Sequence, residues 1–197
     1  MKGMKVGIVA ALAIIFVLAA SATVSAGSYN RYAAGSYAEK YAENPNSAYR
    51  YFNKDCTNFV SQCLYAGGWT ETGKYRWYSD YAWYYDWGAR PGYSHTWTVA
   101  NELHDFLGKS GRADQVSVSR PYYSKFRVGD IIQIDYKDSN GRYGWWDHSM
   151  IVTGIIISDD DLWVSYHTPN TKNKRLSIIK MENQDARFVG WHIRDNY

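Results

Sequence analysis

The chain has only two cysteines, Cys56 and Cys63. On one helix they stand about 10 Å of rise apart, beyond the roughly 7 Å Cα separation that a disulfide bridges. A disulfide scaffold is therefore excluded. The chain also lacks an excess of either charge. Its 22 Lys and Arg face 19 Asp and Glu, and Lys2 and Lys5 lie at the very start. That balance argues against nucleic acid as a partner. Short ligand pairs such as C-x2-C or H-x3-H are missing, which disfavours zinc on Cys56, His148 and His167. No metal and no organic cofactor is implied. After Ala26 no apolar run is long enough to span a membrane, and there is no internal repeat or low-complexity linker.

The first 26 residues read differently. A basic start, MKGMK, is followed by an apolar stretch and small residues ending at Val24-Ser25-Ala26. This is the pattern of a secretory signal peptide cut after Ala26, and it predicts a secreted product, with cell-wall association as an option. The alternative is an uncleaved anchor, the only route to a membrane in this sequence. Residues 27–197 are of one-domain size, and a monomer is expected. Aromatics are plentiful, with 9 Trp and 19 Tyr. They suit a β-rich core, or a groove that stacks on sugar or bulky peptide.

Cys56 stands at the start of a helical pattern. Phe59, Val60, Cys63 and Leu64 form one apolar stripe, and Gly67-Gly68 ends it. Asp55 is placed as the N-cap. A thiol in the first turn meets the positive end of the helix dipole, which predicts a lowered pKa and a nucleophilic cysteine. The rival reading is a half-buried structural thiol.

Elsewhere, Ser28–Glu43 reads as a helix, Thr70–Gly92 as a long aromatic loop and Thr96–Gly108 as one amphipathic helix. From Arg127 the pattern turns to strands: Asp130–Tyr136, His148–Ile157, Leu162–His167, Arg175–Lys180 and Phe188–Arg194. The run Asp138-Ser139-Asn140-Gly141 reads as a hairpin turn, not a calcium loop, because Tyr136 stands at the required acidic position. The predicted fold is α+β, with N-terminal helices packed on about five antiparallel strands.

A catalytic cysteine needs a base. Of His95, His104, His148, His167 and His192, the pair His148 and His167 fall at adjoining ends of one hairpin. They are expected as neighbours at the rim against which the Cys56 helix packs, giving thiol, base and orienting group. Backbone N–H groups at the start of that helix would hold an oxyanion. Asn170, just past His167, competes for the orienting role. Trp145-Trp146 and the tryptophans of Thr70–Gly92 either line a cleft or simply pack.

The segment DCTNFVSQCLYAGGW (Asp55–Trp69) resembles the putative amidase domain of exported Gram-positive proteins, a family similar to the NlpC/P60 and CHAP papain-like cysteine hydrolases. The resemblance extends through YNRYAAGSYAEKYA (Tyr29–Ala42), NPNSAYRYF (Asn44–Phe52), GDIIQ (Gly129–Gln133), HSMIV (His148–Val152), YHTPN (Tyr166–Asn170) and GWHIR (Gly190–Arg194). It implies a papain-like fold, Cys56 as nucleophile, His148 as general base and His167 as the residue that orients it, with Asn170 as the alternative third member. A tyrosine upstream of the cysteine that assists the oxyanion matches Tyr49 or Tyr51. Tyr49, Asp55 and Trp146 are the substrate-side candidates. The implied reaction is hydrolysis of amide bonds in cell-wall peptide through a Cys56 acyl-enzyme, with transfer to an amine as a variant. The alternative is a non-catalytic wall-binding or structural module of the same fold.

Overall fold

A computed structural model of the chain describes residues 27–88 and 92–197. The expected signal segment, residues 1–26, lies outside the described residues. The element order is α1 (Arg31–Tyr41), α2 (Cys56–Ala66), α3 (His95–Thr98), α4 (Ala100–Lys109), β1 (Ala113–Val116), β2 (Ile131–Asp135), β3 (His148–Ile156), β4 (Asp161–Tyr166), β5 (Thr171–Arg175), α5 (Leu176–Glu182) and β6 (Arg187–Ile193). The strands form one antiparallel sheet in the order β1-β6-β2-β3-β4-β5. Among the described residues no helix is long and apolar enough to cross a membrane.

The sheet has two unequal faces. One carries Ile131, Ile151, Val189 and Trp191 and packs against Phe59, Val60, Cys63 and Leu64 of α2, with Trp69, Trp83, Trp97 and Phe106 beside them. The other carries Ile132, Ile134, Met150, Val152, Val164 and Tyr166, covered by Leu176 and Ile179 of α5 and by Tyr122 and Phe126. Residues alternate between the two clusters along β2 and β3, as a pleated strand buried on both faces requires.

Several expectations need correction. The sheet has six strands, because β1 and β5 are short edge strands whose polar sequences, ADQV and TKNKR, carry no hydrophobic alternation. Arg175–Lys180 is not a strand. β5 ends at Arg175 and α5 follows, since Leu176 and Ile179 are buried three residues apart on one face. The Asp161 carboxylate also accepts the Ser177 N–H there. The helix expected over Thr96–Gly108 is broken at Val99, which is extended at φ −115° and ψ 126°. At the end of α2 it is Gly68, at φ 99°, that takes the left-handed conformation, while Gly67 stays helical at φ −74°.

The aromatic loop after α2 is held by bridges pairing Thr72 with Trp83 and Tyr85 with Tyr93. The first and last described residues meet: the Gly27 N–H donates to the Tyr197 carbonyl at 2.8 Å, and the Tyr197 N–H donates back to Gly27 at 3.1 Å.

Candidate functional site

Cys56 is the first residue of α2 and is 5% exposed. Its Sγ lies 3.7 Å from the Thr57 hydroxyl and 3.9 Å from the Asp147 carbonyl oxygen. It also receives the backbone N–H of Ser149, so the sulfur rests over the peptide that carries His148. Below it a buried chain of hydrogen bonds locks α2 to the sheet. The Thr57 and Ser149 hydroxyls meet at 3.1 Å, the Gln133 amide donates to Ser149 Oγ at 3.1 Å, and Trp191 Nε1 donates to Gln133 at 2.9 Å. Burial pushes the Cys56 thiol up, and the N–H groups of Ser149 and Thr57 only partly oppose it. The expected lowering of its pKa is corrected accordingly: in this resting geometry desolvation outweighs the helix N-terminus.

Cys56 lines a cleft of about 600 Å³. Tyr51, Phe52, Tyr93, Trp145 and Trp146 give it aromatic walls, and Arg50, Lys54, His95 and Asp147 give it charged or titratable groups. Trp146 lines the cleft, and its ring stacks on His104 at 4.7 Å. Tyr49 does not line this cleft. It borders a separate pocket of about 210 Å³ with Tyr65, Glu71, Tyr85, Trp87 and Trp97.

Asp55 is the N-cap residue of α2, but its side chain makes no capping bond. One oxygen accepts the Phe52 N–H and the Asn58 amide, each at 2.9 Å, and the other meets His167 Nδ1 at 2.6 Å. At 1% exposure it contacts protein, not the cleft. Asp55 is therefore a hub that ties the loop before Cys56, the helix itself and the end of β4 into one unit.

The two histidines part company. His167 lies on the α2 face, stacked on Phe59 at 4.2 Å. His148 meets Tyr166 edge-on at 4.9 Å and sits with Ile134 and Met150 in a pocket of the opposite face. Tyr166 and His167 are chain neighbours on opposite sides of the sheet, so a ring against Tyr166 faces away from His167. The expected contact between His148 and His167 is corrected for that reason. No hydrogen bond joins the His148 ring to Cys56 Sγ. Burial lowers the His148 pKa from 6.5 to about 4, which leaves its imidazole neutral near pH 7. Asn170 accepts the Tyr51 hydroxyl at 3.2 Å and is exposed.

Sequence reasoning missed Arg50, Lys54, Tyr93 and His95 in the cleft. The linker Ser47–Lys54, directly before Cys56, was a usable signal for the first two, because it must border whatever faces the start of α2. His95 and Tyr93 are brought in by the fold of the aromatic loop, and no spacing announces them. Among the described residues no group of three or more His, Cys, Asp or Glu side chains could hold a metal ion.

The chain is 36% identical to YjcM of Bacillus subtilis over 165 residues, which is 82% of this chain and 36% of that protein. It is 30% identical to YhbB of the same organism over 173 residues, 85% of this chain and 51% of that protein. It thus spans about half or less of either relative's length. No solved structure gives a significant match. A family model described as "Putative amidase domain" matches residues 28–191, from before α1 into β6, and the chain belongs to that family.

Proposed function

We propose that the protein is an exported cysteine amidase that hydrolyses amide bonds in cell-wall peptide, on a papain-like fold related to the NlpC/P60 and CHAP hydrolases. The observation that carries this reading is Cys56 itself: a thiol in the first turn of a helix, opening into a sizeable cleft. Membership of the amidase family supplies the bond type.

In this mechanism the thiolate attacks the substrate carbonyl, the amine leaves with a proton, and water releases the acyl group. Donors at the start of α2 stabilise the oxyanion. His148 serves as base. Its imidazole is neutral at rest, and the Cys56 sulfur rests over its own peptide; burial weakens it as a base until the ring leaves its pocket. The ring must turn away from Tyr166 to reach the sulfur. A second reading, a wall-binding module without turnover, is favoured by one observation: among the described residues no imidazole is hydrogen-bonded to Cys56.

The deciding experiment incubates the protein and Cys56→Ala with purified cell wall and reads newly exposed amines by mass spectrometry. Release by the wild type alone supports the amidase. Equal release from both, or none from either while both bind the wall, overturns it.

A further inference from the structure

The pocket beside Tyr49, away from Cys56, is lined almost entirely by aromatic rings. Tyr49, Tyr65, Tyr85 and Trp87 form its walls, Trp97 its floor, and Glu71 supplies its single charged group. Several of the rings meet at steep angles, while Tyr49 lies nearly parallel to Trp97 at 6.3 Å and 16°. Tyr49 and Tyr85 lie 5.0 Å apart at 55°, Tyr85 and Trp87 lie 5.5 Å apart at 89°, and Tyr65 and Trp97 lie 6.0 Å apart at 60°. They make a box of several facets, not one flat stack.

Their polar edges are tied back to the chain. The Tyr85 hydroxyl accepts the Arg50 N–H at 2.7 Å, and Trp87 Nε1 donates to the Ala48 carbonyl at 2.7 Å. That leaves ring surface to the pocket.

The one charged side chain lining the pocket is acidic, with the Arg50 guanidinium acting on Tyr85 from outside the lining. Glu71 accepts the Tyr85 N–H at 2.9 Å, and among the described residues no cation forms a salt bridge with it, since nearby Lys74 pairs with Asp86. The Tyr49 hydroxyl is pushed up to about 12, by burial first and then by Tyr65, Tyr85 and Glu71. Aromatic faces gathered around a carboxylate suit a cation whose own surface is apolar.

We propose that this pocket binds an organic ammonium group. Its space of about 210 Å³ admits a substituted ammonium head but not a whole peptide. It also shares a wall with the Cys56 cleft: Tyr85 stacks on Tyr93 at 6.0 Å and 18°, and Tyr93 lines the cleft.

The test is a ligand-observed NMR titration of the purified protein with choline, with its neutral isostere 3,3-dimethylbutan-1-ol, and with an Nα-acetyl-lysine amide. The expected result is saturable choline or lysine-amine binding about fivefold or more tighter than the isostere, within the range of cation–π contacts. Whichever amine binds more tightly identifies a quaternary or a primary ammonium as the ligand class. Glu71→Gln, which keeps the acceptor for Tyr85, should weaken that binding by a similar factor. Tyr65→Ala with Trp87→Ala should abolish it, and because both rings are exposed the core should survive, as circular dichroism would confirm. Equal binding of the isostere, binding unchanged in Glu71→Gln, or no binding of either amine overturns the proposal. Because the readout is binding, it stands apart from any result on amide cleavage.

Discussion

His167 Nδ1 lies 2.6 Å from an Asp55 oxygen, while its Nε2 lies 2.9 Å from the Tyr41 carbonyl. A carbonyl only accepts, so Nε2 donates to it, and Nδ1 faces the carboxylate. Neither ring nitrogen is left to hold another imidazole. The pair is a clamp between α1, α2 and β4. His167→Ala should cost about 3–5 kcal/mol by urea unfolding, the usual effect of removing one partner of a buried pair. Asp55→Ala with His167→Ala should cost less than the two single losses added together. Strict additivity would show that the two groups do not act as a unit.

His148 titrates through stability. Its folded pKa, about 4, lies below the ordinary 6.5. The unfolded chain therefore binds the proton more tightly, and stability present above about pH 6.5 is lost as pH falls toward 4. The loss amounts to about 3 kcal/mol by linkage. His148→Gln should flatten that part of the profile. Unfolding curves of both proteins between pH 7 and 4 measure the difference, and superimposable slopes would contradict the burial of the ring.

The resting thiols should be sluggish. With Cys56 pushed up by desolvation and Cys63 pushed up further inside the core, iodoacetamide at pH 7 should label both more slowly than a free thiol. Peptide mapping should find Cys56 modified first and faster as pH rises. Rapid labelling of Cys56 near pH 6 would mean that the thiolate is already formed.

The choice of base can be made kinetically. If His148 takes the thiol proton, His148→Ala should lower kcat by about 10²–10⁴-fold, the range for losing a general base. His95→Ala should then act mainly on KM, because His95 lines the cleft beside Trp77. The reverse pattern would move the base to His95.

Gly190 of β6 offers a test of the packing. A Cβ there would meet the Phe126 ring at 2.5 Å and the Val116 side chain at 2.8 Å. Gly190→Ala should cost about 1–3 kcal/mol by overpacking, with little effect on binding in the cleft.

How much of this could be read from the sequence depended on what each residue touches. The α2 stripe and the strands β2, β3, β4 and β6 were legible, because their side chains bury in a local period. The edge strands β1 and β5 were not, since an edge needs only backbone pairing. The segment Leu176–Lys180 looks like a strand by its two adjacent isoleucines, and only its packing on Tyr122 and Phe126 shows a helix. At the site, the position of Cys56 at the start of a helix could be seen in advance. The facing of His148 could not, because it depends on Ser149 pointing to Thr57, a pairing between α2 and β3 that sequence spacing does not encode. Asp55 was read for the most local of its possible bonds, a cap, whereas its partner lies 112 residues away.

The hydrogen bonds between Gly27 and Tyr197 bring the first and last described residues to one point. A unit built this way can be spliced into a longer polypeptide, or hung from one, without stretching its host, since the host sees a single attachment point. The same geometry makes the domain a candidate for circular permutation. A short linker joining residue 197 to residue 27, with new ends opened at the Asp138–Arg142 turn, should leave the sheet and the cleft assembled.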